Sequence, residues 1–151
     1  MPSPNPIPVL NKWSCCLAAV TWTAQKLGQQ ISQEEIIYKF GLFFPQWTHR
    51  AGVMERGDIL NLLQYLGISY RKFYHLNDKE ETLRLLNKFY PDYVAGFVLH
   101  RHPTNHCLAI ETWDANTVTL MDSSPQAPAF IAIPWDTVFQ HHDSDVLFIY
   151  K

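Results

Sequence analysis

The chain has 151 residues, 47% of them hydrophobic, 14% aromatic and 17% charged, which is enough apolar material for one core and too short a chain for two. A formal charge of −2, from 12 Lys and Arg against 14 Asp and Glu, offers no electrostatic footprint for nucleic acid or an anionic membrane surface. No run reaches the roughly 18 apolar residues of a membrane span, and no basic segment followed by an apolar one opens the chain, so the expectation is a soluble, unsecreted, cytoplasmic protein.

The first eight residues, Met1 to Pro8, carry proline at every second position, which forbids helix and favours an extended arm over residues 1–12; a frayed terminus is the alternative. The rest, 13–151, reads as a single domain. From Trp13 the pattern turns helical, with Leu17, Val20, Ala24 and Leu27 on one face and Gly28 as a stop; Cys15 and Cys16 lie in the first turn. Ser32 and Glu35 form a capping box for a second helix carrying Ile36, Ile37 and Phe40. Gly41 to Gly57 has no clear period and reads as a long connection. Asp58 can cap a third helix with Ile59, Leu62, Leu63 and Leu66, closed by Gly67, before a strand over Ile68 to Tyr74. Asn77 with Glu80 repeats the capping pattern for a fourth helix, which Pro91 halts. Strands follow over Tyr93 to His100, His106 to Trp113, Thr117 to Asp122, Phe130 to Ile133 and Val146 to Tyr150. Helices first and an antiparallel sheet second define an α+β domain.

Cys15, Cys16 and Cys107 are odd in number and two are adjacent, a pattern that suits reduced thiols better than disulfides. A cysteine in the first turn of a helix meets unpaired N–H groups and the positive end of the helix dipole, which favour thiolate and make a nucleophile; simple core packing is the alternative reading. The second half supplies a base. If Trp113 pairs with Thr117 across the Asp114-Ala115-Asn116 turn, residue numbers in the hairpin sum to 230, Leu108 faces Asp122, and His106 and Asp122 share a face. Diagonal neighbours in such a pair lie roughly 7–8 Å apart at the backbone, within reach of an imidazole–carboxylate hydrogen bond. One ring nitrogen is then held by the carboxylate and the other serves a thiol. A one-residue slip would send the two to opposite faces.

Trp13-Ser14-Cys15-Cys16-Leu17-Ala18-Ala19-Val20, followed by helices and then by His106-Cys107-Leu108-Ala109-Ile110 and Met121-Asp122-Ser123, resembles the papain-like bacteriocin-processing peptidases from about Val9 to Tyr150. In that family such domains remove double-glycine leader peptides, usually as the N-terminal part of ABC exporters, and some stand alone. The resemblance implies a papain-like fold with N-terminal helices packed on a C-terminal antiparallel sheet, and a peptide or protein substrate. It implies Cys15 as nucleophile, His106 as base and Asp122 as its orienting group, with no metal and no cofactor. An ATPase module does not fit in 151 residues, so a stand-alone domain is expected. Two positions depart from the pattern. Cys16 stands where the family has glycine, and matching Cys16-Leu17-Ala18 to the Cys-Trp-Ala of papain-like enzymes makes Cys16 the alternative nucleophile. Val9 stands six residues before the cysteine, where the family has an oxyanion-hole glutamine, and Asn11 is the nearest amide that can substitute. Two rival functions follow: a degenerate peptidase-like domain that binds a leader peptide or protein partner, and an acyl transferase or effector/toxin using the same triad.

His100, His102 and His106 lack a recognisable further zinc ligand and read as loop histidines, as do His141 and His142 beside Asp143. Phe43, Phe44 and Trp47 suit either a cleft wall or a core cover. Arg50 and Arg56 read as solvated charges. Trp135 with Phe139 is expected to dock a short helix on the sheet. No glycine-rich phosphate motif precedes a helix.

Overall fold

A computed structural model describes residues 3–10, 15–40, 56–73, 78–89, 93–100, 106–123, 128–140 and 145–150. In chain order these form α1 (Cys15–Lys26), α2 (Gln33–Phe40), α3 (Arg56–Tyr65), β1 (Tyr70–Phe73), α4 (Lys79–Phe89), β2 (Tyr93–His100), β3 (His106–Trp113), β4 (Thr117–Asp122), β5 (Ala129–Pro134), α5 (Trp135–Val138) and β6 (Asp145–Tyr150). The aromatic segment 43–47, Arg50, His102 and the His141-His142-Asp143 turn lie outside the described residues.

Two glycines close helices by the same chemistry. Gly28 at φ 92° and Gly67 at φ 73° take the left-handed conformation that glycine adopts without steric cost. The N–H of Gly28 bonds to the Gln25 carbonyl and that of Gln29 to Ala24, and the pair is repeated by Gly67 to Gln64 and Ile68 to Leu63. At the start of α2 the Ser32 hydroxyl accepts from the Glu35 N–H at 3.2 Å, the cap expected of Ser32, and donates to the Glu35 carboxylate, a side-chain pair in place of the carboxylate-to-backbone half of a capping box. Two other helix starts differ from expectation. For α4 the cap is Asp78, whose carboxylate accepts from the Glu80 N–H at 2.9 Å and whose carbonyl accepts from Thr82; Asn77 lies outside the described residues. α3 begins at Arg56, so Asp58 belongs to its first turn rather than preceding it, a position where the helix dipole also favours an acid.

The sheet has six antiparallel strands in the order β1-β6-β2-β3-β4-β5. Because side chains alternate along a strand, each face of the sheet carries its own core. Cys107, Ala109 and Met121 pack with α1, α2 and α3 through Trp22, Ile36, Ile59 and Leu62. Leu108, Ile110, Val118 and Leu120 pack on the other face with Leu85 and Leu86 of α4 and Trp135 and Val138 of α5. Helices therefore cover both faces, whereas the sequence order suggested only that helices precede strands. Each fully buried large side chain in these cores contributes roughly 1.5–3 kcal/mol.

α1 is buried along its whole length from Cys15 to Ala24, so it is a central helix rather than a one-sided one. Its buried Thr21 hydroxyl is satisfied by the Leu17 carbonyl at 2.7 Å. The proline arm is held against this helix and the hairpin. The Trp22 indole N–H donates to the Pro4 carbonyl, the Gln33 amide to that of Pro8, and the Val9 N–H to that of Ser123. Residues 3–10 form neither helix nor strand, and these hydrogen bonds anchor them.

Candidate active site

The β3–β4 hairpin reaches its register by an unexpected route. Beside the turn Trp113 pairs with Val118 and Thr112 with Thr119, so residue numbers sum to 231 and the expected Trp113–Thr117 pairing is off by one. The Asp114 carboxylate shapes the tighter geometry by accepting from the N–H groups of Asn116 and Thr117, each at 2.7 Å. Between Thr112 and Ile110 the ladder shifts at a bulge, after which Ile110 pairs with Leu120 and Ala109 with Met121, at the expected sum of 230. The irregularity is held from outside. The Lys26 ammonium donates to the carbonyls of Glu111 at 2.7 Å and Ile110 at 3.4 Å, and Ser3 donates to the Glu111 carboxylate at 2.9 Å. Burial lowers the Lys26 pKa, and the Glu111 charge partly offsets this.

The far end of the hairpin therefore brings His106 and Asp122 together. His106 Nε2 lies 3.2 Å from Asp122 Oδ1, with both side chains partly exposed. They share the parity of Leu108 and Leu120 but stand at the first position of β3 and the last of β4, where α1 begins. α1 and β3 lie side by side in the same direction: Cys15 at the helix start meets His106 and Cys107, and Lys26 at its end meets Ile110 and Glu111. Eleven helical steps of 1.5 Å make about 16 Å, comparable with the roughly 13 Å that four strand steps span.

Cys15 is hydrogen-bonded to the His106 ring. With Nε2 on the carboxylate, Nδ1 is the ring nitrogen left for sulfur. The Cys107 backbone N–H also donates to the Cys15 sulfur. Cys16 touches Cys15 on one side and the Cys107 side chain on the other. All three cysteines are buried, Cys15 at 8% and Cys16 at 6% relative exposure and Cys107 completely, and none forms a disulfide.

The electrostatics differ from those of an activated thiolate. The hydrogen bond with the Cys16 thiol and then burial push the Cys15 thiol well above the usual thiol range, while His106 and the Cys107 N–H pull it down. Burial and the Cys16 thiol thus favour the protonated form of Cys15. His106 is raised above the ordinary imidazole value, first by its bond to Cys15 and further by Asp122, against the opposing effect of burial. Burial raises Cys107, and its contact with Cys16 opposes this.

Val9 is half-buried against the Cys15 core, and its N–H is engaged by the carbonyl of Ser123, next to Asp122. Its side chain has no donor for an oxyanion. Asn11, the substitute amide of the sequence reading, lies outside the described residues. Sequence reasoning missed the contacts of Cys107 and the Lys26–Glu111–Ser3 lock; the odd parity of Cys107, shared with Ala109, was the available sign that it faces α1.

No protein-family model matches the chain, and no curated protein matches it. Solved structures do. The peptidase domain of Streptococcus ComA, a bifunctional ABC transporter involved in quorum sensing, superposes with a TM-score of 0.69 over 97% of this chain and 98% of that one, at 13% identity. A double-glycine motif protease from an AMS/PCAT transporter, solved with its leader peptide, gives 0.65 over 99% and 94%, at 11% identity. The chain thus has the α+β, papain-like fold of cysteine peptidase domains, with helices packed on an antiparallel sheet. Among the described residues no helix is long and apolar enough to cross a membrane.

Proposed function

We propose that the chain is a cysteine peptidase in which Cys15 is the nucleophile, His106 the general base and acid, and Asp122 the group that orients the imidazole. The observation that carries this reading is the continuous hydrogen-bonded series from Cys15 through His106 to Asp122. Because Cys15 rests as a thiol, His106 Nδ1 takes its proton as sulfur attacks the scissile carbonyl, and the carboxylate stabilises the imidazolium that forms. His106 then protonates the leaving amine, and a water deprotonated by the same ring resolves the acyl-enzyme. The N–H of Cys15, one of the first in α1 and without an intrahelical partner, is assigned to the oxyanion together with the Asn11 amide. The leader-peptide complex of the second neighbour supports the substrate class proposed here, a peptide or protein cut after Gly-Gly.

A second reading has its own support. Val9 in place of a donor and Cys16 raising the Cys15 thiol both weaken catalysis, and a domain so altered binds a leader peptide without cutting it. One experiment separates the two: incubation with a synthetic double-glycine leader peptide, followed by mass spectrometry of peptide and protein. Cleavage that disappears in Cys15→Ala, with an acyl adduct on Cys15, supports the peptidase. Saturable binding with neither product nor adduct replaces it with the binder.

A further inference from the structure

The peptidase chemistry uses one sulfur, yet three lie in contact at the junction of α1 and β3. Cys16 is the middle member, touching Cys15 and Cys107, and all three belong to one buried cluster. Their access to solvent is graded: Cys15 beside the partly exposed His106 ring is the outermost, and Cys107 is fully enclosed. We propose that the three thiols form a redox relay, in which a hydroperoxide oxidises Cys15 and the oxidation is passed through Cys16 to end as a Cys16–Cys107 disulfide.

Each step balances. His106 takes the Cys15 proton, the sulfur attacks hydrogen peroxide to give a sulfenic acid, and the departing hydroxide reclaims that proton from the ring to leave as water. The Cys16 sulfur attacks the Cys15 sulfur, the hydroxyl departs with the Cys16 proton as a second water, and a Cys15–Cys16 bond forms. The Cys107 sulfur then attacks Cys16, breaking that bond; its proton goes to Cys15, which is restored as a thiol. The sum is two thiols and one peroxide to one disulfide and two waters.

The geometry favours this end point. Successive residues on an α-helix point about 100° apart, so a bond between Cys15 and Cys16 requires the first turn to unwind. Cys16 and Cys107 stand on two packed elements with their side chains already in contact, so a bond between them joins residues that already meet. Cys107 never needs to meet the oxidant, which suits its complete burial. The relay keeps Cys15 from over-oxidation to sulfinic acid, from which no dithiol rescues it.

The test is mass mapping of the whole protein after one equivalent of hydrogen peroxide, with remaining thiols blocked by iodoacetamide before non-reducing trypsin digestion. Cleavage after Lys12, Lys26 and Arg101 yields the fragments 13–26 and 102–151, so the expected product is these two joined, with the alkyl group located on Cys15 by fragmentation. In Cys107→Ala no such product forms, and the oxidation stops at a Cys15–Cys16 disulfide inside the fragment 13–26, which dithiothreitol reduces. In Cys16→Ala neither disulfide of the relay forms, and excess peroxide carries Cys15 on to the sulfinic acid, a gain of two oxygens that dithiothreitol does not reverse. A Cys15–Cys107 link in the original protein, or sulfinic Cys15 appearing there as fast as in Cys16→Ala, overturns the relay. The readout is mass rather than proteolysis, so this proposal stands or falls separately from the peptidase reading.

Discussion

The two halves of the candidate site are built on different terms. The hairpin end is a local structure, where His106 and Asp122 lie 16 residues apart on adjacent strands, partly open to solvent, at side-chain exposures of 34% and 26%. The helix end is a closed one, where Cys15 and Cys16 are nearly buried and meet Cys107 across most of the chain. The difference separates their tasks: the open end can exchange protons with substrate and water, while the closed end governs how hard the sulfur is to ionise. It also shows why one substitution can act so strongly. A second thiol in the closed pocket shifts its neighbour directly, because little water is present to screen it.

Removing the sulfur breaks the pairing of the two ends outright. On the proposed peptidase reading Cys15→Ala abolishes leader-peptide cleavage and acyl-enzyme formation, checked by mass spectrometry. On the same reading His106→Gln removes the general base and should slow acylation about 10²–10⁴-fold as measured by single-turnover kinetics. The same variant tests linkage. Folding raises the His106 pKa, so its contribution to stability is complete below the unfolded-chain value and is lost as pH rises through the folded value. Urea midpoints of the original protein should therefore decline over that range relative to His106→Gln.

Asp122→Asn keeps the size of the side chain but removes its charge. A smaller loss of rate than in His106→Gln is expected, with the His106 imidazole titrating lower by NMR while remaining bonded to Cys15. At the closed end, Cys16→Gly removes the foremost cause of the raised Cys15 thiol. Iodoacetamide should then label Cys15 faster near neutral pH, with about a tenfold gain in thiolate fraction for each unit by which the pKa falls. Unchanged labelling would show that burial, not Cys16, governs the sulfur. The smallest effect is expected remote from both ends: Ser3→Ala removes one hydrogen bond to Glu111 and should cost about 0.5–1.5 kcal/mol in denaturant unfolding, with the His106–Asp122 pair intact.

Much of the hairpin was legible because its rules are local. Period-2 alternation located β3 and β4, and the counting argument brought His106 and Asp122 to one face. It reached the right register at the site despite a wrong pairing at the turn, since the bulge beside Glu111 absorbs the extra residue. Nothing local announces that bulge; its supports are Lys26 from α1 and Ser3 from the arm. The cap of α4 was misplaced by one residue because Asn77 and Asp78 both suit a cap.

The sequence by itself determined the helices and strands, their order, the helix-ending glycines and the meeting of His106 and Asp122 at the hairpin's far end, because these depend on periodicity and on neighbours within a few turns of chain. Only the tertiary structure decided that β6 inserts between β1 and β2, that helices cover both faces of the sheet, and that Cys15 is hydrogen-bonded to His106 while Cys16 bridges to Cys107. Those outcomes depend on which buried surfaces meet, and on the desolvation they impose. A helix dipole alone argues for a thiolate; the pocket in which the helix ends, with a second thiol inside it, keeps the proton on Cys15.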